Sequence, residues 1–243
     1  MIQENDRVLL AGRKREFFVR AGEGEFSTDK GMVKLGELVG LSTGDKISTH
    51  MGFEFEVREP RATDYFNYAR RTGAPMLPKD IGMVIACTGM NKNDRVLDAG
   101  TGSGIAAIFF GGVAASVVTY EKRPEFSEVC AKNIEDAGLD NVEVIAGDVL
   151  EAEGEEEFDV VHLDMQIGRE HVEHAWKLLK KGGYLATYTP FIEHTILVMD
   201  TAKPLFAEVV CHETIARELT RTERGTRPST RVAHSGYITV CRK

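Results

Sequence analysis

The sequence predicts an α/β fold: a mostly parallel sheet with helices on both faces, preceded by a small β-domain. Three observations predict it. From Asp94 onward, apolar runs of strand length alternate with amphipathic helical runs. A glycine-rich turn joins the first of those strands to the helix after it. The first 62 residues show only short strand-like runs punctuated by glycines.

In chain order, Val8-Leu-Leu10, Glu16-Phe-Phe-Val-Arg20, Lys46-Ile-Ser-Thr49 and Phe53-Glu-Phe-Glu-Val57 read as strands, too few and too short to form the main body. Asp64-Tyr-Phe-Asn-Tyr-Ala-Arg-Arg71 reads as a helix, and Pro75 and Pro78 mark a turn, so residues 63–90 form a helical linker. Four strands follow at Arg95-Val-Leu-Asp98, Val117-Val-Thr-Tyr-Glu121, Asn141-Val-Glu-Val-Ile145 and Phe158-Asp-Val-Val-His-Leu-Asp164. Between the second and third, Pro124 suits a first helical position and Gly138 a left-handed cap, with Phe126, Val129, Cys130, Asn133, Ile134 and Ala137 mostly on one face. A helix burying Val172, Ala175, Trp176 and Leu179 precedes Gly182-Gly183. The expected domains are therefore 1–62 and 63–243.

The 243 residues are 42% hydrophobic and 28% charged, which excludes disorder and low complexity. No apolar run approaches the roughly 18 residues of a spanning helix, and the charged start Met1-Ile-Gln-Glu-Asn-Asp-Arg7 is no secretion signal; the expectation is a cytoplasmic protein with no membrane partner. The cysteines Cys87, Cys130, Cys211 and Cys241 lack metal or redox spacing and read as reduced thiols, with a Cys211–Cys241 disulfide as the alternative. The net charge of −8 is uneven: residues 121–165 carry −12 and residues 211–243 carry +4, so a local basic face coexists with an acidic block. His171-Val-Glu-His174 has no third ligand in view and reads as exposed helix surface, so no metal is expected. His162, inside an apolar strand, reads as a buried hydrogen-bonded histidine.

The main chemical signal is Asp98-Ala-Gly-Thr-Gly-Ser-Gly104 at a strand-to-helix junction, where glycines let backbone pass under a ligand. A dinucleotide site is the rival reading, since Gly102-x-Gly104-x-x-Ala107 fits that shorter pattern. Three more acids favour a nucleoside with free ribose hydroxyls. Glu121 ends the second strand, Asp148 the third and Asp164 the fourth, and open α/β sheets bind ligands at those ends.

These residues resemble the class I S-adenosylmethionine-dependent methyltransferases, with Lys181-Gly-Gly-Tyr184 similar to the glycine turn before their fifth strand. The resemblance implies a Rossmann-like seven-stranded sheet and S-adenosyl-L-methionine as cofactor. It implies cofactor contacts at Gly100, Gly102, Ser103, Gly104, Ile105, Ala106, Glu121, Phe126, Asp148 and Asp164. Glu121 would hold the ribose, Phe126 would cover the adenine ring and Asp148 would accept from the adenine amino group.

A closer resemblance covers nearly the whole chain. Leu38-Val-Gly40, Thr49-His-Met-Gly52, Val57-Arg-Glu-Pro60, Arg70-Arg71, Pro78-Lys-Asp80 and Arg227-Pro-Ser-Thr-Arg-Val-Ala-His-Ser-Gly236 look like the tRNA adenine-N1 methyltransferases, which modify the T-loop at adenine 58 and in some lineages 57. That family implies tRNA as partner, a homotetramer and Asp164 as the catalytic carboxylate, holding the target adenine's amino group. Arg227, Arg231 and His234, with Arg13, Lys14 and Arg15, would contact phosphates. Two departures stand out: Gln166-Ile-Gly-Arg169 replaces the family's Pro-x-Pro-Trp after Met165, and Ala74 and Leu77 replace its Gln and Tyr. The alternatives are a same-fold methyltransferase acting on a small molecule or protein carboxylate, and an RNA-binding protein with a decayed site.

Overall fold

The computed structural model describes residues 1–229 and 233–243. It contains two compact units, Met1–Arg70 with Lys132–Gly138, and Arg71–Ala131 with Leu139–Lys243.

The first unit holds β1 (Arg7–Ala11), β2 (Glu16–Arg20), β3 (Glu25–Thr28), β4 (Gly31–Lys34), β5 (Lys46–Ser48), β6 (Glu54–Arg58) and α1 (Ala62–Tyr68). Four strands form an antiparallel sheet in the order β2-β1-β6-β5, and β3 and β4 pair as a separate hairpin. In β6 the side chains alternate strictly, with Phe55 and Val57 buried and Glu54, Glu56 and Arg58 exposed, as a half-buried strand requires. Val8, Leu10, Val19, Val33, Leu38 and Ile47 complete that core. Helix α1 starts two residues ahead of the expected Asp64, because the Asp64 carboxylate accepts from the Arg61 backbone N–H at 2.8 Å and caps the first turn.

Residues 132–138 bring Asp136 into this unit. Its side chain is only 6% exposed and accepts from Arg7 Nε at 2.8 Å, Arg7 Nη2 at 2.6 Å and Arg20 Nη2. The Asp136 carbonyl accepts from the Tyr65 hydroxyl, whose pKa is pushed up to about 12 by burial, with the Asp136 charge adding to it.

The second unit holds α2 (Pro78–Thr88), β7 (Arg95–Ala99), α3 (Ile105–Gly111), β8 (Ser116–Glu121), α4 (Pro124–Asp136) up to Ala131, β9 (Val142–Ala146), β10 (Phe158–Leu163), α5 (Arg169–Leu178), β11 (Leu179–Thr189), α6 (Ile192–Ala202), β12 (Glu208–Glu213), β13 (Leu219–Thr222), β14 (Gly225–Pro228) and β15 (Tyr237–Arg242). Seven strands form one sheet in the order β12-β15-β11-β10-β7-β8-β9. Neighbours are parallel except around β15, which runs antiparallel to both β11 and β12. This is the seven-stranded Rossmann-like sheet the resemblance implied. Its strands are nearly continuously apolar because both faces are covered: Leu97, Val161, Leu163, Leu185, Val172, Leu178 and Val198 are at most 1% exposed.

Two local expectations are corrected. Leu179 is buried, but it opens β11 rather than ending α5, because the helix stops at Leu178. Gly182-Gly183 lies inside the span of β11, where Gly182 takes φ +79° and pairing to β10 jumps from Phe158↔Leu179 to Val160↔Tyr184. The glycines thus absorb an irregularity within the strand. The four cysteines are free thiols. Cys241 faces Val209 across the β12–β15 ladder and Cys211 faces Thr239, so the pair is offset by two residues. Burial pushes the Cys241 thiol up to about 12.

Replacing Asp136 with alanine should strand two partly buried guanidinium groups and cost about 2–4 kcal/mol. Urea denaturation of Asp136→Ala against the parent should show that loss, and an unchanged midpoint would contradict the role assigned to this carboxylate.

Candidate active site

The glycine loop leaves β7 at Ala99 and enters α3 at Ile105. Gly100, Gly102 and Gly104 all have positive φ, at +83°, +53° and +80°, the left-handed region that favours glycine. At Gly100 the constraint is absolute: an added Cβ would stand 2.0 Å from the Asp164 carbonyl oxygen. At Gly102 an added Cβ would meet nothing nearer than Thr72 Oγ1 at 3.7 Å, so that backbone borders open space. The space is a cavity of about 300 Å³ lined by residues including Asp98, Gly100, Gly102, Ser103, Ile105, Ala106, Arg123, Phe126 and Asp164. Ser103 is 4% exposed, and its hydroxyl accepts from the Thr72 backbone N–H at 2.9 Å, tying the segment 72–76 to the loop.

The four acids expected at the strand ends meet around this loop in different states. Asp98 is 1% exposed and committed internally: its carboxylate accepts from Thr101 Oγ1 at 3.0 Å and Thr119 Oγ1 at 2.6 Å, and lies 2.7 Å from His162 Nδ1. His162 is fully buried, as its place in an apolar strand suggests, and its Nε2 has no partner among the described residues. Glu121 is 3% exposed and accepts from the Gly102 backbone N–H at 2.9 Å, the Arg123 backbone N–H at 3.1 Å, Arg123 Nε at 2.8 Å and Arg123 Nη2 at 3.1 Å. Its pKa lies below the usual carboxylate range: burial pushes upward, and the hydrogen bonds from Arg123 and Gly102 outweigh it. Asp148 accepts from Lys122 Nζ at 2.8 Å and the Leu150 N–H at 3.0 Å, and those two bonds hold its pKa down.

Asp164 differs from the other three. Its backbone N–H donates to the Ala99 carbonyl at 2.9 Å, but its carboxyl makes no hydrogen bond among the described residues. Burial pushes its pKa up to about 6; His162 opposes the rise and the nearby Asp98 charge favours it. It lines three cavities: the one above, one of about 600 Å³ with Glu121, Asp148, Met165, Gln166 and His171, and one of about 780 Å³ with Ala74, Met76, Leu77, Tyr188 and His234.

The third cavity contains groups that spacing alone did not single out. Lys79 Nζ donates to Asp80 Oδ1 at 2.6 Å, the Thr214 carbonyl at 2.8 Å and Ser235 Oγ at 2.7 Å, while Ser235 Oγ donates to Asp80 Oδ2 at 2.9 Å. The Tyr188 hydroxyl donates to the Ser235 carbonyl at 2.6 Å, and burial pushes its pKa up to about 12. The only sequence signal was the triplet Pro78-Lys-Asp80, whose partners come from more than 130 residues away. The two departures from the family pattern also fall beside these spaces: Ala74 and Leu77 line the 780 Å³ cavity, and Gln166 the 600 Å³ one.

The phosphate-contact candidates divide. His234 lines the same cavity as Asp164, but its ring nitrogens lie 2.7 Å from Glu213 Oε1 and 2.9 Å from the Pro190 carbonyl. Hydrogen bonding to Glu213 raises its pKa. Arg227 stands instead on the exposed hairpin of β13 and β14. Arg231 lies outside the described residues. His171 and His174, expected on exposed helix surface, are both partly buried: His171 Nδ1 accepts from the Gly168 N–H at 2.9 Å at the start of α5, and burial lowers the His174 pKa.

The raised Asp164 pKa has a stability consequence. The folded state holds this proton more tightly than the unfolded chain, so that contribution is complete below about pH 4 and is lost as pH rises through about 6. Asp164→Asn should therefore gain stability relative to the parent between pH 4 and 7, by on the order of 2 kcal/mol. Denaturation at both pH values checks this, and a pH-independent difference would contradict the shift.

The comparisons with known proteins agree with this geometry. A family described as "Methyltransferase domain" matches residues 90–227. The chain is 34% identical, over 97% of its own length and 94% of the relative's, to tRNA (adenine(57)-N(1)/adenine(58)-N(1))-methyltransferase TrmI of Methanocaldococcus jannaschii. Among solved structures it is similar to an S-adenosylmethionine-dependent O-methyltransferase of Thermotoga maritima, with TM-score 0.87 and 26% identity, covering 100% of this chain and 94% of that one. It is also similar to the tRNA (m1A58) methyltransferase TrmI of Aquifex aeolicus, with TM-score 0.81 and 26% identity, covering 100% and 98%. The match runs along nearly the full length of both the chain and these relatives, and the chain belongs to the S-adenosylmethionine-dependent tRNA (adenine-N1)-methyltransferase family.

Proposed function

We propose that this protein transfers the methyl group of S-adenosylmethionine to N1 of an adenine in the T-loop of tRNA, at position 58 with 57 as the second candidate. The observation that carries the reading is Asp164: an otherwise unpartnered carboxyl at the junction of the glycine-loop cavities and the 780 Å³ cavity, in a chain of this family. The residues fit the cofactor. The backbone at Gly100 and Gly102 carries no side chain into the 300 Å³ space, Ser103, Ile105 and Ala106 continue its wall, and Phe126 offers a ring face there, whereas Gly104 packs against Cys130 and does not line it. Glu121 would take the ribose hydroxyls and Asp148 the adenine amino group.

When bound, the cofactor supplies a methyl group already activated by its sulfonium. The chain's task is therefore alignment and exclusion of water. Adenine N1 attacks with its own lone pair and needs no strong base, but methylation makes the ring cationic. Asp164 in its ionised form would accept from the adenine amino group and stabilise that charge as it develops. The target base must leave the folded tRNA to reach the site, at a cost of a few kcal/mol. Met76, Leu77 and Pro78 give its cavity apolar walls. His234 acts in this reading by fixing the wall that carries it to Pro190 and Glu213, while Arg227 and Arg231 are left for phosphates. In the first unit, Arg13, Lys14, Arg15, Lys30 and Phe53 surround a cavity of about 380 Å³, a basic setting with an aromatic ring.

The division of labour proposed is a β-domain over residues 1–62 and a catalytic domain over 63–243. A homotetramer in the cytoplasm, with residues 191–204 at an interface, completes the reading. Phe191, Ile192 and Ile196 are 61%, 45% and 51% exposed, which supports a partner for that face. Among the described residues no helix is long and apolar enough to cross a membrane, and no cluster of three metal-ligating side chains occurs.

The test is labelled methyl transfer to an unmodified tRNA transcript followed by nucleoside analysis. The expected product is 1-methyladenosine, lost when adenines 57 and 58 are replaced by guanosine. Asp164→Ala should reduce the rate by at least about 100-fold while binding S-adenosylhomocysteine. A second reading, an O-methyltransferase of the same fold, is favoured by similarity to the Thermotoga maritima structure. Label entering cell extract and surviving ribonuclease, with none in tRNA, would establish that reading and defeat the first.

A further inference from the structure

The Glu121 carboxylate is saturated. A carboxylate offers about four acceptor positions, and here the Gly102 N–H, the Arg123 N–H, Arg123 Nε and Arg123 Nη2 fill them. Two come from backbone, one at Gly102 in the glycine loop and one at Arg123 in the turn after β8. The other two come from one guanidinium on a side chain that is 55% exposed. The carbon of the same guanidinium lies 3.8 Å from the ring centroid of Phe126, covering a face of that ring. Arg123 and Phe126 line the 300 Å³ cavity together.

The adenosine half of the cofactor needs both of those positions if Glu121 accepts the ribose hydroxyls and Phe126 stacks on the adenine. We propose that Arg123 is an internal stand-in for adenosine, holding Glu121 and Phe126 in the empty site and leaving both when the cofactor enters. The inference rests on the roles proposed above for Glu121 and Phe126. The exchange balances group for group: two guanidinium N–H donors leave the carboxylate and two ribose hydroxyls replace them, while a cation–π contact gives way to ring stacking. The two backbone donors stay throughout.

The device answers a physical problem. A carboxylate only 3% exposed is costly to leave without donors, and every turnover ends with the departure of the adenosine half. The guanidinium returns as the product leaves, so the charge is not stranded. Arg123 also has somewhere to go, because its side chain already reaches solvent and feels the Glu125 carboxylate next along the helix. Arg123 therefore competes with product and shortens its residence.

The test uses S-adenosylhomocysteine as the probe, with calorimetry for affinity and stopped-flow for rates, on the intact parent, Arg123→Ala and Glu121→Gln at low and high salt and pH 8. Removing a half-exposed competitor should tighten binding about two- to five-fold through slower dissociation. Parent affinity should also rise with salt more than that of Arg123→Ala, because salt weakens the competing ion pair. Equal or weaker binding by Arg123→Ala would overturn the proposal and make Arg123 a bystander or a cover over the adenine. Glu121→Gln should bind at least about ten-fold more weakly, since it loses a charged acceptor. Parent-like affinity there would defeat the ribose role of Glu121 itself, a failure distinct from that of Arg123 alone.

Discussion

The site depends on how closely the backbone at Gly100 approaches the end of the neighbouring strand. An ideal Cβ at Gly100 would lie 2.0 Å from the Asp164 carbonyl oxygen, so only a residue without one permits the approach. The Asp164 N–H bonds the Ala99 carbonyl on one side, and the Gly100 N–H bonds the Tyr120 carbonyl on the other. The loop is thereby clasped between the ends of β8 and β10, and Asp164 follows directly from that clasp. Its carboxyl reaches the glycine-loop cavity and the larger cavity beyond because the strand carrying it cannot retreat.

Three acids around the loop show how environment divides one chemistry into several roles. Asp98 is spent internally on Thr101, Thr119 and His162, joining β7 to β8 and β10. Glu121 is also saturated, but half of its donors sit on a side chain that can move. Asp164 has no hydrogen-bond donor among the described residues, and burial raises its pKa to about 6. A carboxyl of that kind is ionised at neutral pH yet gains from any donor offered to it, which suits a group that must respond to charge developing on a base. The lower walls of the larger cavity are held by another buried acid, Asp80, with Lys79 and Ser235. This ties α2, within the linker, to the segment near the C-terminal strand.

Much of this was legible in the sequence. Strand-length apolar runs placed the parallel strands β7, β8, β9 and β10, and the spacing of glycines and acids placed the loop and its neighbours, because both patterns are local. The unread parts have physical reasons. The β3–β4 and β13–β14 hairpins lack clear apolar alternation, and every residue of the latter is exposed. Leu179 satisfies helical and strand patterns equally, so its side of the α5–β11 junction is decided by tertiary pairing. The partners of Lys79 lie far along the chain, beyond any spacing rule. Arg123 sits two residues from Glu121, and only its folded-back conformation reveals that it fills the acid and covers Phe126.

The most direct measurement is S-adenosylhomocysteine affinity in Gly100→Ala beside Gly182→Ala. The two glycines have nearly the same positive φ, +83° and +79°, but an added Cβ at Gly182 meets nothing within 4 Å. Backbone strain is thus common to both variants, and the clash with Asp164 belongs to one. The account predicts that Gly182→Ala binds like the parent and that Gly100→Ala loses binding and methyl transfer together. Parent-like affinity in Gly100→Ala, or the same loss in both variants, would contradict the claim that this single approach sets the site.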